Sequence, residues 1–179
     1  MNNSSHNSGP NTGPNGGDDA RRARDAHARP SALPWPPVLL VTVIAAAWLL
    51  GSWWPLPWPG HDDLAARAVG VTIGGLGVLL MGWAAWTMRA AKTTILPHKG
   101  AERLVTTGPF RRFRNPIYIA DTMILLGLAE LTKNIWFGGA AIGFVALVTW
   151  LAILPEERHL TARFGQAYLD YKARSRRWL

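Results

Sequence analysis

The chain contains no cysteine. That absence removes disulfide frameworks, thiolate nucleophiles and thiolate metal sites together. Charge is also scarce: 17% of the 179 residues are Asp, Glu, Lys or Arg, and 11 acids face 19 bases. A soluble domain of this size carries more charge. Here apolar residues take the space, at 49% of the chain with ten tryptophans. His98 and His159 stand isolated, without the paired spacing of a metal site, so no metal is expected. The net charge of +8 would suit nucleic acid, but the bases flank apolar runs. Membrane topology and anionic lipid headgroups account for them better, and no nucleic-acid partner is expected.

Apolar residues are almost missing from the start. Within residues 1–17, fourteen positions are Asn, Ser, Gly or Pro, so residues 1–34 are expected to form a disordered tail. Arg21-Arg22 matches the dipeptide of a twin-arginine export signal, yet it lies well before the first apolar run, behind prolines, and no cleavage site follows.

Four apolar runs come next. Residues 38–54 carry no charge and just span a hydrocarbon core at about 1.5 Å rise per residue. Trp35, Trp53, Trp54 and Trp58 sit at the ends of this run, where interfacial aromatics belong. Residues 68–88 form the second run, and Gly70, Gly74, Gly75, Gly77 and Gly82 offer small faces for close helix approach. A basic loop, residues 89–115, leads into residues 116–131 and 135–154. These two runs are joined only by Thr132, Lys133 and Asn134, which predicts an antiparallel hairpin closed by Pro155. The fold class expected is an all-α integral membrane bundle of four transmembrane helices with a C-terminal amphipathic cytoplasmic helical segment. Lys and Arg number four in the tail, none in the first connection, seven in the long loop, one in the hairpin turn and six after residue 155. Both termini are therefore expected on the cytoplasmic side.

The stretch that organises the rest is LVTTGPFRRFRNPIY, residues 104–118. Asn115 is placed to cap the coming helix through its side-chain oxygen, and Pro116 suits the first helical position. The helix start, flanked by Arg111, Arg112 and Arg114, is a ready anion site. The hairpin returns Glu156 and Glu157 to the same face. Asp121, one turn into an apolar run, is a functional candidate because ionisable groups are costly there. In the C-terminal segment Leu160, Phe164, Tyr168 and Tyr171 recur at near-helical spacing, and Gly165 is expected to break the helix. The amphipathic segment is expected to lie on the membrane against the long loop.

The order TxxxP, LVTTGPFRRFRNPIY, a hairpin, EERHL and RFGQAYLDYKARSRRWL resembles the membrane-embedded isoprenylcysteine carboxyl methyltransferase and phospholipid methyltransferase family. Its pattern reads GPYRxxRHPxYxG followed by EExxL…FGxxYxxYxxxVxRxxP. The resemblance covers residues 93–179. Asn115 departs from the usual His, Ala120-Asp121 from the small Gly step, and the final Trp-Leu from the usual proline. The resemblance implies a cofactor-binding region over residues 93–179 after two helices in residues 35–92, with S-adenosyl-L-methionine as cofactor. A lipophilic acceptor, carboxylate or amine, would enter from the bilayer of a bacterial inner membrane, and membrane lipids would be the other partners. It further implies cofactor contacts at His98, Gly108, Pro109, Phe110, Arg114, Asn115, Pro116, Tyr118, Glu156 and Glu157, with Arg114 and Glu157 in the catalytic centre. Two other readings keep the architecture. A sterol- or enone-type reductase using NADPH would suit Asp121 and the arginine-rich loop, and a scaffold without turnover would bind no nucleotide.

Overall fold

The computed structural model describes residues 35–91 and 104–179. The expected tail and His98 lie outside these residues.

The described residues are helical. Helix α1 runs Trp35–Trp53 and α2 Leu64–Ala90. A 3-10 turn at Gly108–Arg111 follows, then α3 at Pro116–Thr132 and α4 at Ile135–Val148. A π-helical turn at Thr149–Ile153 joins α4 to α5, Leu154–Phe164, and α6 is Gln166–Arg174. Among the described residues three helices are long and apolar enough to cross a membrane: Pro36–Trp53, Leu64–Ala90 and the continuous stretch Ile135–Phe164. At 17 residues α3 is shorter than these.

Pro155 does not close the last span. Its ring would clash with the carbonyl four residues back, and the chain answers with a wider turn rather than an end. The Leu154 N–H reaches back to the Thr149 carbonyl, and the helix carries on through Glu156 and Glu157 to Phe164.

Packing sets the order across the bundle: α2 lies on α3, α3 on α4, and α4 on α1. The glycine faces explain the first contact. A Cβ on Gly127 of α3 would lie 2.7 Å from the Gly74 Cα, and one on Gly77 would lie 2.9 Å from the Ala120 carbonyl. The two backbones therefore touch, which only glycine permits. Gly75 and Gly82 face open space and take no part. The core is built by Leu125, Ala129, Phe137, Phe144, Val148 and Ile153, with Leu39 and Ala47 from α1. Large apolar side chains elsewhere point outward, among them Val41, Trp48, Leu79, Ile142 and Trp150, as lipid-facing residues do.

The turn between α3 and α4 is tight. Lys133 adopts a left-handed φ of 53°, and Asn134 caps α4 by accepting from the Trp136 N–H at 3.0 Å. The Asn134 amide also donates to the Ala47 carbonyl at 3.0 Å, fastening the hairpin to α1.

Candidate functional site

At the other end of the bundle the loop before α3 meets the C-terminal segment. Gly108 takes a φ of +57°, and a Cβ there would stand 2.6 Å from the Thr87 hydroxyl on α2. Only glycine meets both demands, so the 3-10 turn is seated against the end of α2. Pro109 and Pro116 are buried, while Phe110 and Asn115 are half-buried. The loop then pairs with the chain's last residues. Phe113 forms a parallel bridge with Arg176, the Arg114 N–H donates to the Arg176 carbonyl at 2.7 Å, and the Arg176 N–H donates to the Arg112 carbonyl at 2.8 Å. The Tyr171 hydroxyl donates to the Phe110 carbonyl at 2.6 Å.

Asn115 does not cap α3. Its backbone, at φ −125° and ψ 55°, lies outside the extended region a cap requires, and no side-chain capping bond forms. Its amide donates instead to the Arg177 carbonyl at 2.9 Å. The start of α3 thus keeps backbone donors that the Asn115 side chain does not satisfy. The helix break expected at Gly165 is present, with φ +54° between α5 and α6.

Arg114 and Glu157 come together. The Arg114 Nε lies 3.4 Å from Glu157 Oε1, and both side chains are about nine-tenths buried. The Arg114 Nη1 donates to the carbonyls of Lys172 and Ser175, while its Nε is buried without a hydrogen-bond partner. Glu157 is held by Arg177, whose Nε donates to Oε1 at 2.9 Å and Nη2 to Oε2 at 2.8 Å. Lys172 Nζ stands 3.7 Å from Oε2. One carboxylate therefore faces three cations. The carboxylate contact raises the Arg177 guanidinium above its ordinary value. In α6, burial pushes the Tyr168 phenol up and the Tyr171 phenol up to about 12.

Tyr118 and Asp121 lie on the buried face of α3, at 8% and 4% exposure. Asp121 and Glu156 are both in electrostatic range of the Tyr118 ring. Asp121 Oδ1 is buried with no hydrogen-bond partner, as are both ring nitrogens of His159. Among the sequence-derived residues the structure thus brings Phe110, Arg114, Asn115 and Glu157 into one connected cluster, with Tyr118 one turn from Asp121 on the buried face of α3. It adds Arg177, Lys172 and Ser175, together with Tyr171, which the sequence placed only on the apolar stripe of the C-terminal segment. The motif arginine near the chain end was the available signal for Arg177.

The cluster suits an amino-acid-like ligand. The start of α3 and the unpartnered Arg114 Nε offer donors to a carboxylate, and Glu157 offers an acceptor to an ammonium. S-adenosyl-L-methionine carries both groups on one carbon.

No solved structure matches the chain. Two curated bacterial proteins do. One is the nickel-cobalt-cadmium resistance protein NccN of Alcaligenes xylosoxydans xylosoxydans, 28% identical over 138 residues that cover 76% of this chain and 59% of that protein. The other is the cobalt-zinc-cadmium resistance protein CzcN of Cupriavidus metallidurans, 27% identical over 138 residues, covering 76% and 58%. The chain spans about three-fifths of the length of these relatives. The family description for phospholipid methyltransferases matches residues 65–167, more than half of the chain, from the start of α2 into α6. With apolar helices long enough to cross a bilayer and this match over them, the protein is a helical membrane protein that belongs to the phospholipid methyltransferase family.

Proposed function

We propose that this protein transfers a methyl group from S-adenosyl-L-methionine to a lipophilic acceptor at the cytoplasmic face of a bacterial inner membrane. In this reading α3 crosses the bilayer as a fourth span and both termini are cytoplasmic. The observation that carries the proposal is the pairing of a donor pole, the Arg114 Nε beside the start of α3, with an acceptor pole, Glu157, only 3.4 Å away. Of the site residues, Gly108, Pro109 and Pro116 shape the loop. Arg114 and the α3 start take the cofactor carboxylate, and Glu157 takes its ammonium. Phe110 and Tyr118 supply aromatic faces for a sulfonium, a contact worth roughly 0.5 to 2 kcal/mol. Asn115 acts by fastening the chain end, and Glu156 and Asp121 face the acceptor side. His98 belongs to the same proposal.

When bound, the cofactor supplies an activated methyl on a positively charged sulfur. The protein's part is to hold the acceptor in line with that methyl and keep water out, which accounts for most of such an acceleration. The unpartnered Asp121 oxygen favours an acceptor that brings an N–H or a positive charge, such as a lipid amine. For an amine acceptor, Asp121 or Glu156 would take up the proton that the nitrogen sheds once it is methylated. A carboxylate acceptor would meet the two acids Asp121 and Glu156, which disfavours it. The relatives' names make metal resistance one setting in which such a modification would act.

The test is calorimetric titration of the detergent-purified protein with S-adenosylhomocysteine and, separately, NADPH, using wild type, Arg114→Ala and Glu157→Gln. Binding of S-adenosylhomocysteine alone, lost in both variants, is the expected result. NADPH binding would turn the assignment to a reductase, and binding of neither would favour the scaffold.

A further inference from the structure

We propose that Arg177 is a positioning residue, which sets the Glu157 carboxylate for the ligand's ammonium from the segment after α6. The proposal rests on the cofactor reading above and assigns a role that reading leaves open.

Three cations face Glu157, but only one orients it. Arg177 makes two charge-assisted hydrogen bonds, at 2.9 and 2.8 Å, one to each oxygen. This is the fork geometry that fixes a carboxylate in direction as well as place. Arg114 Nε at 3.4 Å makes no hydrogen bond to Glu157, and Lys172 Nζ stands at 3.7 Å. Without Arg177 a nearly buried carboxylate would keep only these looser contacts and would be free to turn. Each carboxylate oxygen accepts about two hydrogen bonds, so Arg177 leaves acceptor capacity for an ammonium.

Arg177 is itself held from the other side of the site. Its carbonyl accepts from the Asn115 amide, and the preceding Arg176 exchanges two backbone hydrogen bonds with the loop at Arg112 and Arg114. Its backbone is therefore tied to the loop that starts α3, and its side chain to α5. The residue is a bracket between the two elements that carry the donor and acceptor poles. Glu157 is faced by Arg114 from the loop, by Tyr168 and Lys172 from α6 and by Arg177 from the segment after α6, with Glu156 beside it in α5. The matched family region ends at residue 167, before this segment.

The experiment compares wild type with Arg177→Ala, Arg177→Lys, Glu157→Gln and the double variant Arg177→Ala/Glu157→Gln, as full chains in detergent. Hydrogen exchange in the absence of ligand reads the bracket. Peptides covering residues 108–118 and 170–179 should exchange faster in Arg177→Ala and in Glu157→Gln, and no faster in the double variant than in the faster single one. S-adenosylhomocysteine titration reads positioning. Arg177→Ala should weaken binding roughly 10-fold and Arg177→Lys should recover part of that, whereas Glu157→Gln abolishes it. Faster exchange in the double variant than in either single one, or Arg177→Ala binding like wild type, would overturn the role. If wild type binds no S-adenosylhomocysteine, the cofactor reading falls and positioning of its ammonium falls with it, whereas unchanged exchange in Arg177→Ala overturns the bracket itself.

Discussion

Both ends of the bundle place an asparagine before an apolar helix, and the two behave differently. At the hairpin turn Asn134 has an extended backbone, caps α4 and donates to Ala47. Its neighbours balance in charge: Lys133 pairs with Glu130 and approaches Asp62, and Asp62 pairs with Arg67 at 3.0 Å. At the loop end Asn115 leaves α3 uncapped and ties down the chain terminus. There one nearly buried carboxylate meets three cations, and Arg114 Nε and Asp121 Oδ1 are left without partners. The turn end pairs its charges and so works as a fastener, although the Trp58 indole N–H beside Lys133 is buried without a partner. The loop end leaves a surplus of positive charge and open hydrogen-bonding capacity, as a binding site must.

Substitutions should separate the two ends. Glu157→Gln should have the largest effect. It leaves the buried Arg114 guanidinium without its counter-charge, a loss of roughly 3 kcal/mol or a fall in melting temperature on the order of 10 °C, and it should abolish S-adenosylhomocysteine binding. Thermal unfolding in detergent with a matched titration checks both. Asn134→Ala removes a cap and an inter-helix tie, so about 1 to 2 kcal/mol of stability should go while ligand affinity stays at the wild-type value. Asn115→Ala should show the opposite balance: a stability loss of about 1 kcal/mol or less, with weaker ligand binding because the bracket is untied. Equal behaviour of the two asparagine variants in both assays would erase the contrast between the ends.

Asp62→Asn should change neither melting nor binding measurably. Arg67 holds its carboxyl below the usual carboxylate range, but the pair is exposed and screened by water and salt. The tyrosines of α6 act only at high pH. With their phenols raised by burial, their contribution to stability is complete below the ordinary tyrosine pKa of about 10. For Tyr171 it disappears as the pH rises through about 12. Absorbance near 295 nm should therefore show little tyrosinate at pH 10 to 11 in the folded protein and more after unfolding.

Several features were legible in the sequence because they depend on neighbours along the chain. The apolar runs that became α1 to α4, the three-residue hairpin turn and the break at Gly165 are of this kind. So is the meeting of Arg114 and Glu157, which follows once a short turn makes two helices antiparallel. Other features were misread for a definable reason. Asn115 before Pro116 has the form of a cap, but its side chain is tied to the Arg177 carbonyl, 62 residues away. Pro155 has the form of a helix stop, but a π-helical turn absorbed it.

Composition and periodicity alone decided that this chain builds apolar helices, where those helices turn, and that the basic loop and the two glutamates share one end. These follow from the cost of placing unpaired backbone and charge in an apolar medium, which each segment meets by itself. Tertiary structure decided which polar groups complete one another. The Arg177 bracket, the unpartnered Asp121 oxygen and the glycine contact between α2 and α3 depend on distances between segments far apart in sequence. A hydrogen bond is made or lost within a few tenths of an ångström, and only the packed helices fix positions that closely.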